Sequence, residues 1–110
     1  MCEFRKFTAA QTGYVAQCPS CRSIEIVYGT SVIHIGFSDW ENFNEYLASV
    51  QQSYRPSENR DMKTIMLHFG GNGPLQMFLT TDELHEFCKL IDEADSEIRA
   101  WHLIELFEKG

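Results

Sequence analysis

The chain has 110 residues, of which 44% are hydrophobic and 13% aromatic, and its 16 acidic and nine basic residues give a net charge of −7. This length suits one domain rather than two, and the apolar content is sufficient for a packed core, which excludes a disordered chain. The acidic balance repels phosphate backbones, so nucleic acid is not expected as the main ligand.

The sequence also bears on the compartment. It contains no apolar run near the roughly 18 residues of a membrane span. Its start, MCEFRKF, lacks the long apolar segment of a signal peptide. We therefore expect a cytoplasmic protein, in which thiols stay reduced. Cys2, Cys18, Cys21 and Cys88 are accordingly interpreted as thiols or metal ligands before disulfides.

The first half of the chain predicts a three-strand meander followed by a helix. Residues 14–17 and 24–28 are rich in apolar and β-branched residues, and 29–31 predict a tight turn into a return strand at 32–37. The tetrapeptide SDWE at 38–41 has the form of a capping box, which predicts a helix start. The apolar stripe of this helix comprises Trp40, Phe43, Tyr46, Leu47 and Val50.

The strand–turn–strand–helix pattern then recurs. Residues 64–69 and 75–79 predict two strands around the glycine-rich turn 70–73, and TTDE at 80–83 repeats the capping box. Helical residues continue to Lys109, and we favour one long or kinked helix over two. This helix has more apolar residues than one stripe can bury, which predicts an unknown protein partner or a homodimer through the C-terminal helix.

Together these elements predict one α+β domain over residues 1–110. It comprises a CxxC meander with a helix at 1–51, a polar loop at 52–62, and a hairpin with the C-terminal helix or helices at 63–110. Because short turns favour antiparallel pairing, we expect a mainly antiparallel sheet of about five strands. Two or three helices would cover one face, and the chain would contain two loosely repeated ββα units.

The motif Cys18-Pro19-Ser20-Cys21 carries the clearest chemistry. Two thiolates three residues apart, on a turn between strands, can bind one tetrahedral zinc ion, as in a zinc-ribbon knuckle. Cys2 is the natural third ligand. The fourth would be Cys88 or one of the histidines, none with diagnostic spacing: His34, His68, His85 and His102. A structural zinc site and a metal-free pair of thiols remain equal alternatives.

Two further interpretations of the motif concern function. A CxxC redox protein is one, because CPxC resembles the active-site turn of thioredoxin-like proteins. There the first cysteine caps a helix, whereas residues 22–27 alternate like a strand, and neither Pro56 nor Pro74 suits the cis-proline of that fold. A zinc-ribbon-like nucleic-acid binder is the other, favoured by the motif and opposed by the net charge.

Motifs of known catalytic sites are missing from the sequence. It contains no GxSxG, GxGxxG or P-loop motif, and the turn at 70–73 leads into a strand rather than into a phosphate-binding helix. We therefore predict no catalytic residue and no cofactor other than zinc. The expected function is that of a non-enzymatic binding, regulatory or structural module.

Three segments carry a resemblance to a known family: GYVAQCPSCRSIEIVYG from Gly13, VIHIGFSDWENFNEYL up to Leu47, and the later LTTDELHEFCKLIDEA. They resemble a family of small, uncharacterised bacterial proteins. That family's pattern is an early Cys, gY-x3-C-x2-C, a strand ending in a Gly turn, a second strand and a helix. Cys2, Cys18, Cys21 and Gly29 match it. The resemblance implies a shared fold and a shared cysteine cluster, and it brings no assigned activity.

Overall fold

The computed structural model describes residues 4–53, 62–69 and 75–109. Within these ranges the fold is α+β, with a four-stranded antiparallel sheet, a separate antiparallel hairpin and two helices. The elements are β1 Arg5–Ala10, β2 Gly13–Gln17, β3 Ile24–Tyr28, β4 Ser31–Ile35, α1 Phe37–Ser53, β5 Ile65–Phe69, β6 Leu75–Leu79 and α2 Thr81–Lys109. The element order contains ββα twice, as β3-β4-α1 and β5-β6-α2.

The predicted single sheet of about five strands was wrong in two respects. The strands divide into the sheet β1-β2-β3-β4 and the hairpin β5-β6. Strand β1 was also missed, since its sequence RKFTAA lacks the apolar alternation by which a strand is recognised. Pairing with β2 holds β1 in place, and its register shifts between Lys6 and Thr8, as at a β-bulge.

The two predicted capping boxes had opposite outcomes. At the start of α2 the box forms, because the Glu83 amide donates to Thr80 Oγ1 (3.1 Å) and the Thr80 amide donates to Glu83 Oε1 (2.9 Å). At the start of α1 the prediction was wrong: this helix begins at Phe37, which was assigned to the preceding strand. The half-buried Phe37 ring lies 5.0 Å from the ring of His102 on α2, a tertiary contact that the local sequence does not encode.

Helix α2 is a single helix of 29 residues, as favoured from the sequence. At 1.5 Å per residue it is about 43 Å long, and the molecule measures 53 × 25 × 24 Å. No helix in the described ranges has both the length and the apolar character needed to cross a bilayer.

One face of the four-stranded sheet is buried against the helices. Val15, Ile26 and Ile33 lie directly opposite one another on three adjacent strands, and all are buried. Phe43 of α1 and Phe87 of α2 belong to the same buried cluster, with ring centroids 6.3 Å apart. Ile65, Leu67, Met77 and Leu79 of the hairpin belong to this cluster too, so the core is formed by the sheet, the hairpin and both helices.

Three features of the sequence analysis fall outside the described residues. They are Cys2, most of the predicted loop at 52–62, and the glycine-rich turn at 70–73. The first two residues of that predicted loop, 52 and 53, belong instead to the last turn of α1.

The capping box gives a direct test of how α2 begins. We expect Thr80→Ala to lower the free energy of unfolding by about 1 kcal/mol, since the Glu83 amide loses its acceptor. Ser38→Ala is the matched control. Because Ser38 lies inside the first turn of α1 and does not cap it, this substitution should lower the free energy of unfolding by less. Urea unfolding of both variants decides the point. Equal losses would contradict the assigned helix starts.

Candidate functional site at the CPSC end of the sheet

The CPSC motif forms the connection between β2 and β3, as predicted. The Cys18 amide donates to Ser23 O (3.0 Å), and the Arg22 amide donates to Cys18 O (2.8 Å). Arg22 has a φ of 65°, which is uncommon for a residue other than glycine. A bond from Gln17 Nε2 to the Arg22 carbonyl (3.1 Å) holds the turn in this conformation.

The two cysteines of the turn differ in exposure. Cys18 is completely buried, whereas Cys21 is exposed. Continuing the alternation of β2 places Cys18 on the same side as Ala16, and both lie outside the main core cluster. The turn therefore combines one thiol that is closed to solvent with one that faces it.

The predicted third ligand, Cys2, is outside the described residues, but its sequence position limits how far away it lies. Arg5 pairs with Gln17, the residue before Cys18. Cys2 precedes Arg5 by three residues, and three extended residues span at most about 10 Å. A segment of this length would allow a ligand at position 2 to approach the turn. In the described ranges, no three His, Cys, Asp or Glu side chains converge as a metal site would require.

The candidates for the fourth ligand are dispersed over the fold. His68 lies in the separate hairpin, on β5. Cys88 lies in the core, where burial, with help from Asp92, raises the pKa of its thiol to about 11. His85 and Cys88 both lie at least 14 residues before His102 on α2, which is about 21 Å or more along the helix. Because His102 contacts Gln17 beside the turn, this distance places both residues far from the CPSC turn. Only His34 and His102 lie at the CPSC end of the sheet.

Three contacts, here called the CPSC brace, fix α2 to this end of the sheet. The Arg5 guanidinium stacks 3.7 Å from the Trp101 ring, and Arg22 lies 3.8 Å from the Glu105 carboxylate. Between them, His102 Nε2 donates to Gln17 Oε1 (3.3 Å). Gln17 is only 3% exposed, and both ends of its amide are hydrogen-bonded, so the bond is well placed to contribute to stability.

Sequence reasoning missed the brace. Its pairs are separated by more than 80 residues, so spacing carries no signal for them. The one local hint is that Trp101 and Glu105 lie four residues apart, on one face of a helix.

The brace is packed rather than hollow. The space between Arg5, Gln17, Arg22 and their neighbours is about 10 Å³, which is room for at most about one water molecule. Burial, together with the charge of Arg22, lowers the pKa of His102, while Glu105 opposes the shift. The brace therefore favours a neutral His102 and offers no room for a substrate.

The other side of the same helix is open. We call Leu103, Ile104, Leu106 and Phe107 the apolar end of α2; their exposures are 57, 47, 68 and 85%. Leu103, Leu106 and Phe107 follow three-and-four spacing, so they form one stripe. A cluster of exposed apolar side chains is typical of an interaction surface.

Comparison with known proteins supplies a family. No curated protein and no solved structure matches the chain. A family model described as "Family of unknown function (DUF6686)" matches residues 1–107. This confirms the resemblance to an uncharacterised family that the sequence indicated. The chain belongs to DUF6686, a family of unknown function.

Proposed function

We propose that this protein is a non-enzymatic binding module that docks a protein partner through the apolar end of α2. The proposal rests on one observation, which is that the C-terminal half of α2 has two different faces. One face is held by the CPSC brace, and the other exposes Leu103, Leu106 and Phe107. A rigidly held helix with an open apolar stripe is suited to recognition, since little entropy is lost when it binds.

We further propose that Cys18, Cys21 and Cys2 hold a structural zinc ion at the CPSC turn, beside the CPSC brace. The CxxC spacing, the closed turn and the short reach from Arg5 to Cys2 support the site. Zinc would link the start of β1 to the turn that carries Arg22, and so stabilise the brace. The fourth ligand would come from His34 or His102, the two candidates at this end of the sheet.

The geometry of the turn argues against the redox alternative. A redox-active first cysteine needs an accessible thiolate, typically at a helix N-terminus. Cys18 is completely buried, and the turn leads into strand β3 rather than into a helix.

The nucleic-acid alternative has one observation in its favour. Arg5, Lys6 and Arg22 gather near the CPSC turn. Each of them, however, lies over an aromatic ring of the protein itself, and Arg22 also pairs with Glu105. Since the whole chain carries a charge of −7, we rank a protein partner above nucleic acid.

The zinc proposal is tested by the metal content of the purified native protein, measured by elemental analysis beside native mass spectrometry. We expect about one zinc per chain, with loss of metal and a lower melting temperature in Cys18→Ser and Cys21→Ser. Cys88→Ala is the matched control and should retain the metal, because Cys88 lies in the core. Metal-free wild type, or full zinc in Cys18→Ser, would refute the site.

The docking proposal is tested with a variant that removes apolar side chains from the stripe. We expect Leu106→Ser/Phe107→Ser to fold normally, since both side chains are largely exposed in the chain alone. A partner captured with wild type is identified, purified and titrated against both forms. The double variant should bind about tenfold or more weakly.

Val32→Ser is the control for this experiment, because Val32 is also exposed (58%) but lies on β4, far from the α2 stripe in the sequence. Its affinity for the partner should equal that of wild type. Equal binding by wild type and the double variant would contradict docking through α2.

A further inference from the structure

A groove runs along α2 beside its apolar end. Its first part is a cleft of about 520 Å³ between the start of α1 and α2. Its second part, about 350 Å³, is lined by Arg99, His102, Leu103 and Leu106. The two parts share Arg99 and His102, so they adjoin along α2. We call them together the α1–α2 groove.

The floor of the groove is apolar and rigid. Trp40 and Ile98 are almost completely buried beneath it, and Phe37 forms one wall. Trp40 Nε1 donates to Asp95 Oδ1 (2.9 Å), which fixes the indole ring. From Asp95 to Leu106 the groove follows about 16 Å of helix, which matches three turns of a docked helix.

The charge around the groove is acidic. Glu41 and Asp95 line the cleft, and the Arg99 guanidinium is already bonded to Asp95 Oδ2 (2.8 Å). The whole segment 82–110, to which Asp95 and Arg99 belong, holds nine acidic and three basic side chains, a net charge of −6. An occupant with basic residues beside an apolar stripe would complement both properties.

The same charges disfavour a second copy of this chain as the occupant. Self-association would bring together two chains of charge −7 at their most acidic segments. A different protein is therefore a better candidate for the occupant of the groove than a second copy of this chain.

We propose that the α1–α2 groove binds a basic amphipathic helix of about three turns from a partner protein, with its apolar face on Phe37, Leu103 and Leu106, which lie around the buried Trp40 and Ile98. This inference rests on the proposed docking function and specifies the partner's chemistry. Glu41, whose charge also acts on the Arg99 guanidinium, supplies an exposed acidic group at the cleft, and the stripe on α2 extends the apolar contact.

The test uses two synthetic helical peptides of equal length with leucines at the same positions, one carrying lysine and the other glutamate. Binding is measured by isothermal titration calorimetry at about 0.15 M salt. The tryptophan fluorescence of the chain, to which Trp40 in the cleft and Trp101 in the brace both contribute, serves as a second signal. We expect the leucine–lysine peptide to bind at one per chain. The leucine–glutamate peptide should bind about tenfold or more weakly.

Two charge variants on one helix locate the site. Glu41→Lys should weaken the leucine–lysine peptide about tenfold. Glu45→Lys changes the net charge equally but lies one turn further along α1, outside the groove lining, and should have little effect. Equal effects of the two variants, or equal affinity of the two peptides, would overturn the proposal.

The oligomeric state separates failure of this inference from failure of the docking function. A concentration-dependent dimer, lost in Leu106→Ser/Phe107→Ser, would overturn the basic-helix partner while leaving docking through α2 intact. A monomer that binds neither peptide would also overturn this inference. Only a captured partner whose affinity is unchanged in the double variant refutes the docking function itself.

Discussion

The buried amide of Gln17 is the interaction on which this end of the molecule depends. Its Nε2 closes the CPSC turn by donating to Arg22 O, and its Oε1 receives the bond from His102 on α2. A buried amide left without either partner costs about 1–3 kcal/mol. The two hydrogen bonds of Gln17 therefore couple the conformation of the turn to the position of α2. The stacking of Arg5 on Trp101 and the ion pair of Arg22 with Glu105 strengthen this coupling.

This coupling explains how α2 can be buried in the core over its first half and exposed on one face over its second half. The first half of α2 is buried through Leu84, Phe87 and Ile91, and Tyr28 Oη donates to the Glu83 carbonyl (3.3 Å) at its start. The second half has only one face against the sheet, where the brace lies. Its other face keeps apolar side chains in water, a cost that is offset when a partner covers them.

Elements defined by local signals were predictable from the sequence. The box at Thr80–Glu83, strand β3 and the continuity of α2 follow from capping, alternation and helical spacing, and the family resemblance was confirmed. Elements defined by distant contacts were not. Strand β1 depends on pairing with β2, Phe37 joins α1 while packing on His102, and Gln17 meets a residue 85 positions later.

The central claim, that the CPSC turn fixes the docking end of α2, is tested most directly by amide hydrogen exchange on Gln17→Ala beside wild type. We predict faster exchange of the Cys18 and Arg22 amides, which are hydrogen-bonded in the turn, and of the amides at 98–105, with unchanged protection at 84–94. That result would show that the turn and the exposed end of the helix move as one unit. Equal protection of 98–105 in both proteins, or a uniform loss along the whole of α2, would contradict the account.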